Sequence, residues 1–234
     1  GTVTSNAATL TVNAPAPGIA FLSNLSVRAR AGSGSETLIV GVTIGGSTSA
    51  TPKTVLIRGI GPTLAAFGVG NALPDPVLTV LNGTTPIATN DDWGTQAGIG
   101  TLSAAVGAFA LPNGSLHPAI SGAGIANGSY TIQLTGKGGA TGNALIELYD
   151  TADGASITGS TTRLTNLSAR TFGGTGNDTL IVGFNLAGTG TRRLVIRAVG
   201  PGLAAFAVTG TMPDPKLELF AGSAKVGEND NWDA

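Results

Sequence analysis

Roughly half of this 234-residue chain is a sequence that occurs twice, and that repetition constrains the fold more than any single motif. Leu22-Ser23-Asn24-Leu25-Ser26-Val27-Arg28 returns as Leu164-Thr165-Asn166-Leu167-Ser168-Ala169-Arg170. Thr37-Leu38-Ile39-Val40-Gly41 returns as Thr179-Leu180-Ile181-Val182-Gly183, and Ile57-Arg58-Gly59-Ile60-Gly61-Pro62 as Ile196-Arg197-Ala198-Val199-Gly200-Pro201. Leu64–Phe67, Pro74-Asp75-Pro76 and Asn90-Asp91-Asp92-Trp93 match Leu203–Phe206, Pro213-Asp214-Pro215 and Asn229-Asp230-Asn231-Trp232. The period is about 140 residues, and about 30 of about 70 aligned positions are identical. A complete first copy is expected over 20–158 and the first half of a second over 159–234, preceded by a strand over 1–13, either the last strand of a preceding domain or a donor strand for another chain, and a linker over 14–19. The second copy has no counterpart of Gly128–Leu134 or Ala144–Tyr149. Half a sandwich leaves a sheet edge and an apolar face uncovered, so a longer polypeptide or a strand from another chain is expected to close it.

Composition identifies the kind of element being repeated. Hydrophobic residues make up 41% of the chain and charged residues only 11%, with 37 glycines. Helix formers such as Glu and Lys are scarce, while β-branched residues and turn formers dominate, which predicts an all-β protein. Strands are expected near 21–30, 36–44, 53–60, 76–81, 85–89, 101–109, 129–136 and 143–150. Asn82-Gly83, Asn113-Gly114 and Asn127-Gly128 mark turns, and Gly61-Pro62 before Leu64–Phe67 reads as a single helical turn. Eight or so strands per copy suggest tandem β-sandwich or jelly-roll repeats, the second copy incomplete, with a barrel as the other closure.

The charge balance bounds the partners. Twelve basic against 13 acidic residues give no electrostatic grip on nucleic acid or anionic lipid, so neither nucleic-acid binding nor membrane insertion is expected. The chain has no cysteine and one histidine, His117, so thiolate chemistry and a His-based metal site are not expected. No nucleophile elbow and no phosphate loop occurs, and adjacent Asp91 and Asp92 cannot face a sugar from opposite sides. The expectation is a protein that is not an enzyme and needs no cofactor. The acidic motif offers hard oxygens to calcium through Asp91 and Asp92 in one copy and Asp230 and Asp233 in the other; the competing reading is an Asx-rich turn anchored by Trp93 or Trp232. Arg58 and Asp75 recur as Arg197 and Asp214 at the same separation, which suggests a structural ion pair in each copy.

The motifs Asn24-Leu25-Ser26-x-Arg28, Ile57-Arg58-x-Ile60-Gly61-Pro62, Asp75-Pro76 and Asn90-Asp91-Asp92-Trp93 resemble those of β-sandwich repeats in large bacterial exported proteins, where immunoglobulin-like domains alternate with such repeats. Residues 75–93 and 129–149 are also similar to the bacterial pre-peptidase C-terminal domain, a secreted jelly-roll module. The Thr/apolar alternation of 1–12 resembles the last strand of a bacterial immunoglobulin-like domain. Together these resemblances imply an extracellular or cell-surface location and a structural or adhesive role. The expected partners are copies of the same chain or neighbouring domains, joined in a filament by strand complementation. The alternative is a carbohydrate-binding accessory module of a secreted enzyme, with a polysaccharide partner.

Overall fold

The computed structural model describes residues 19–46, 52–152 and 157–231, and the expected terminal strand over 1–13 and most of the 14–19 linker lie outside them. The protein is all-β. Two compact units divide between Thr191 and Arg192. The first copy supplies β1 (Phe21–Ala31), β2 (Leu38–Gly45), β3 (Lys53–Ile60), β4 (Pro76–Asn82), β5 (Thr85–Asn90), helix α1 (Ile99–Ala105), β6 (Ala119–Ile125), β7 (Gly128–Gly136) and β8 (Gly142–Asp150). The second supplies β9 (Arg163–Arg170) and β10 (Ile181–Ala187) to the first unit, and β11 (Leu217–Ala221) and β12 (Ala224–Asn229) to the other.

Ten antiparallel strands form one sheet in the order β5-β4-β7-β2-β9-β1-β8-β3-β6, with β10 on β1, and this sheet curls into a nearly closed, barrel-like sandwich. Along β1 and β2 buried and half-buried residues alternate, as in strands with one face on the core. Val27, Val40, Leu78, Ile132, Leu134, Ile146 and Leu148 meet in that interior. Strands β3 and β8 are buried on both faces, which explains their nearly unbroken apolar sequences. Val55 and Ile57 face the main core, while Leu56 and Tyr149 pack with Ile99 of α1 on the other side.

The first copy contains two departures from the expected elements. The strand expected over 101–109 is helix α1: Ile99 and Ser103 are buried, and Leu102 and Val106 pack beside them, which is helical spacing read as an apolar run. Strand β6, Ala-Ile-Ser-Gly-Ala-Gly-Ile, was not expected, because its small residues carry little β propensity; pairing with the edge of β3 holds it. The copy boundary near 158 is also not the structural boundary, since β9 and β10 join the sheet of the first copy and the units divide after Thr191. Turn expectations fare better: Pro62–Phe67 is a 3-10 turn, and so is its counterpart Pro201–Phe206. Among the described residues no helix is long and apolar enough to cross a membrane.

Candidate functional site

Two of the repeated motifs meet each other across the seam between copies. Strand β1 pairs with β10, and β2 pairs with β9, both antiparallel. These two pairings are the same interaction made twice. Ser26 lies opposite Gly183 in one and Ser168 opposite Gly41 in the other; Val27 lies opposite Val182, and Ala169 opposite Val40. The irregularity also recurs, between Leu22 and Asn24 in β1 and opposite Thr43 and Ile44 where β9 meets β2. Leu22 and Leu164 face each other where the two halves of the seam meet. The result is a local pseudo-twofold arrangement, with Asn-Leu-Ser-x-Arg of each copy against Thr-Leu-Ile-Val-Gly of the other.

The glycine in that motif has a steric reason. A Cβ on Gly41 would come within 2.5 Å of the Ser168 hydroxyl, and one on Gly183 within 2.6 Å of the Ser26 hydroxyl. Side chains then add to the backbone ladder. Thr165 Oγ1 donates to Thr43 O at 3.1 Å, and at the equivalent place Ser23 Oγ donates to Asn185 O at 3.3 Å.

A second set of groups holds the first copy closed. Arg58, fully buried, donates from Nη2 to Glu147 Oε2 at 2.5 Å and from Nε at 2.9 Å. Its Nη1 donates to Phe109 O at 2.6 Å, and its guanidinium lies 4.5 Å from the Phe109 ring centre. Tyr149 Oη donates to the other Glu147 oxygen at 2.9 Å. Burial, and then the Glu147 charge, push the Tyr149 phenol well above its usual range. Lys53 and Asp150 form another buried pair at 2.5 Å. Both pairs join β3 to β8, one on each face of the sheet, because 53 and 58 have opposite parity and so do 147 and 150.

This corrects the expected Arg58–Asp75 pair. Arg58 is an ion-pair residue, but its partner is Glu147, and Asp75 instead faces Lys137 at 3.7 Å. Arg58 and Asp75 both recur within the 234 residues, whereas Glu147 and Asp150 sit in a part that occurs once there. The available signal was chemical: a charge inside an apolar strand needs a partner in another. In the second copy Arg197 and Asp214 are exposed and form no ion pair among the described residues, so the pair expected there is not made.

The acidic motif is organised as an anchored turn. Asn90 Nδ2 donates to Asp92 O at 3.1 Å, and Asn90 Oδ1 accepts from the Ala119 amide at 2.9 Å. Trp93 donates from its backbone to His117 O at 2.7 Å and from Nε1 to Ser115 Oγ at 3.1 Å. The cation beside Asp91 is Lys137 Nζ, at 3.0 Å, and its hydrogen bond and charge lower the Asp91 pKa. Among the described residues no three His, Asp or Glu side chains converge as metal ligands. Asp230 accepts from Asn231 Nδ2 at 3.0 Å, and Asp233 lies outside the described residues. His117 is fully buried, taking the Gly61 amide at Nδ1 (3.2 Å) with Thr63 Oγ1 2.6 Å from Nε2. Burial, with help from the Arg58 charge, lowers its pKa to about 4, so it is neutral near pH 7, with the Nε2 proton toward Thr63.

The seam is thus where the Asn-Leu-Ser-x-Arg and Thr-Leu-Ile-Val-Gly motifs of the two copies meet, and the ion pairs, the turn and the histidine bind parts of the first copy to one another. No protein-family model, no curated protein and no solved structure matches the chain.

Proposed function

We infer that this chain is a structural or adhesive repeat module of a bacterial cell-surface or extracellular fibre, whose copies associate through β-strand pairing. The observation that carries this reading is the seam: two copies joined twice by the same strand pairing in the same register. An interaction repeated about a local twofold is self-complementary, and self-complementary strand pairing is a route to assembly. The Asn-Leu-Ser-x-Arg and Thr-Leu-Ile-Val-Gly residues present in both copies then serve the contact between copies. In the same reading the buried ion pairs and His117 serve rigidity, with no role in turnover.

The test is the state of the protein in solution. Electron microscopy and light scattering of the purified chain should find large assemblies built from strand contacts. A dispersed monomer that is retained on a polysaccharide matrix would replace this reading with that of a carbohydrate-binding accessory module.

A further inference from the structure

Strands β3 and β8 carry two buried cation–carboxylate pairs, and only one of the carboxylates has both oxygens satisfied. Glu147 accepts two hydrogen bonds from Arg58 at Oε2 and one from Tyr149 at Oε1. Asp150 uses a single oxygen. Its Oδ1 accepts from Lys53 Nζ at 2.5 Å and from the Ala152 amide at 2.9 Å, while Oδ2 is buried with no hydrogen-bond partner among the described residues. Both side chains are out of water, Lys53 at 6% exposure and Asp150 at 0%. The register puts them on the face of the sheet that carries Val55, Ile57 and Leu148, against the main core. A buried carboxylate oxygen without a donor is costly in an ion pair. A condensation between the two side chains would remove that atom.

We propose that Lys53 and Asp150 are a site of intramolecular amide formation, which joins Lys53 Nζ to Asp150 Cγ and releases one water. The chemistry needs a primary amine, and this separates the two pairs: Lys53 carries one, whereas the delocalised guanidinium of Arg58 is a poor nucleophile. Within the charged pair the ammonium hands one proton to the carboxylate. That leaves a neutral amine beside a carboxylic acid with its hydroxyl at Oδ2, an exchange that an apolar interior favours. The nitrogen lone pair then attacks Cγ. Negative charge gathers on Oδ1, where the Ala152 amide already donates. A second proton passes from nitrogen to Oδ2, the Cγ–Oδ2 bond breaks, and that oxygen leaves as water. The product carries no charge in the interior, and its remaining oxygen keeps the Ala152 hydrogen bond. Contact between the two groups replaces the collision that a free amine and acid would need, and exclusion of water protects the amide from hydrolysis. The step need occur only once per molecule, so a slow rate suffices. The bond closes the chain from β3 to β8 into one covalent loop and is independent of the seam.

The experiment is mass spectrometry of the purified full chain. The folded protein should weigh one water less than its sequence, and digestion should yield the Lys53 peptide joined to the Asp150 peptide. Lys53→Ala and Asp150→Ala should each restore the full mass. Asp150→Asn keeps the shape of the acid and should condense with loss of ammonia in place of water. Lys137→Ala removes an exposed lysine paired with Asp91 and should leave the link intact. The unsubstituted chain decides the matter by itself, so a variant that fails to fold does not shield the proposal. A full, undiminished mass overturns it. So does a missing water that maps to a single peptide, as cyclisation at Asp153-Gly154 would give.

Discussion

Residues 53–60 and 192–199 form a natural comparison, because one protein carries nearly the same apolar-cationic octapeptide in two settings. In the first it is a strand buried on both faces; in the second it is irregular and exposed. Local preference is alike in the two, since both are rich in Val, Ile and Leu. What differs is the partner. With β6 and β8 alongside, every backbone group has a ladder to join, and apolar side chains gain about 1.5–3 kcal/mol each on full burial. Without them, an extended conformation brings ordering cost and no burial. A strand is thus a property of a pair, which its own sequence only permits.

The largest predicted contrast tests the cations. Arg58→Ala strands Glu147 in the interior and should cost about 3–5 kcal/mol in urea unfolding, whereas Arg197→Ala should stay within about 0.5 kcal/mol. Equal losses at the two sites would break the comparison.

A second contrast uses pH. His117 lies in a part of the first copy that residues 159–234 do not reach, and its pKa falls from 6.5 to about 4 on folding. The unfolded chain therefore binds the proton first, and stability, constant above the unfolded value, should decline between pH 6.5 and 4 by on the order of 3 kcal/mol. Thermal unfolding at a series of pH values should show this slope, and His117→Gln should flatten it.

Smaller effects sharpen the picture. Gly59→Ala drives a methyl against buried Leu134 and the Pro118 ring and should cost about 1–3 kcal/mol, while the reciprocal Ala198→Gly meets no packed neighbour and should leave the melting temperature unchanged. At the cap after the 3-10 turn the order reverses. Gly68 and Ala207 both have positive φ, 76° and 59°, so Gly68→Ala should destabilise and Ala207→Gly stabilise, each within about 1 kcal/mol.

Legibility in the sequence followed range. Strands with strict alternation, such as β1, β2 and β7, were readable because one face meets the core. The segment of helix α1 reads as a strand in the sequence, since a short apolar run has no period long enough to separate helix from strand. Of the polar groups, the cations were visible but their carboxylates were not. Arg58 and Glu147 are far apart in the chain, and only the register of β3 against β8 brings them opposite.

The amino-acid sequence by itself determined the local events, which the second copy forms again: the Gly200-Pro201 turn, the hairpin at Gly222 and the Asx turn in which Asn229 Nδ2 donates to Asn231 O at 2.9 Å. Each depends on a few neighbouring residues whose dihedral preferences and hydrogen bonds close within one turn. The tertiary structure alone decided which strands pair, that the two copies share a seam, and which carboxylate each buried cation meets. Those outcomes depend on burial and ladder hydrogen bonds between segments distant in the chain, and no segment carries that information alone.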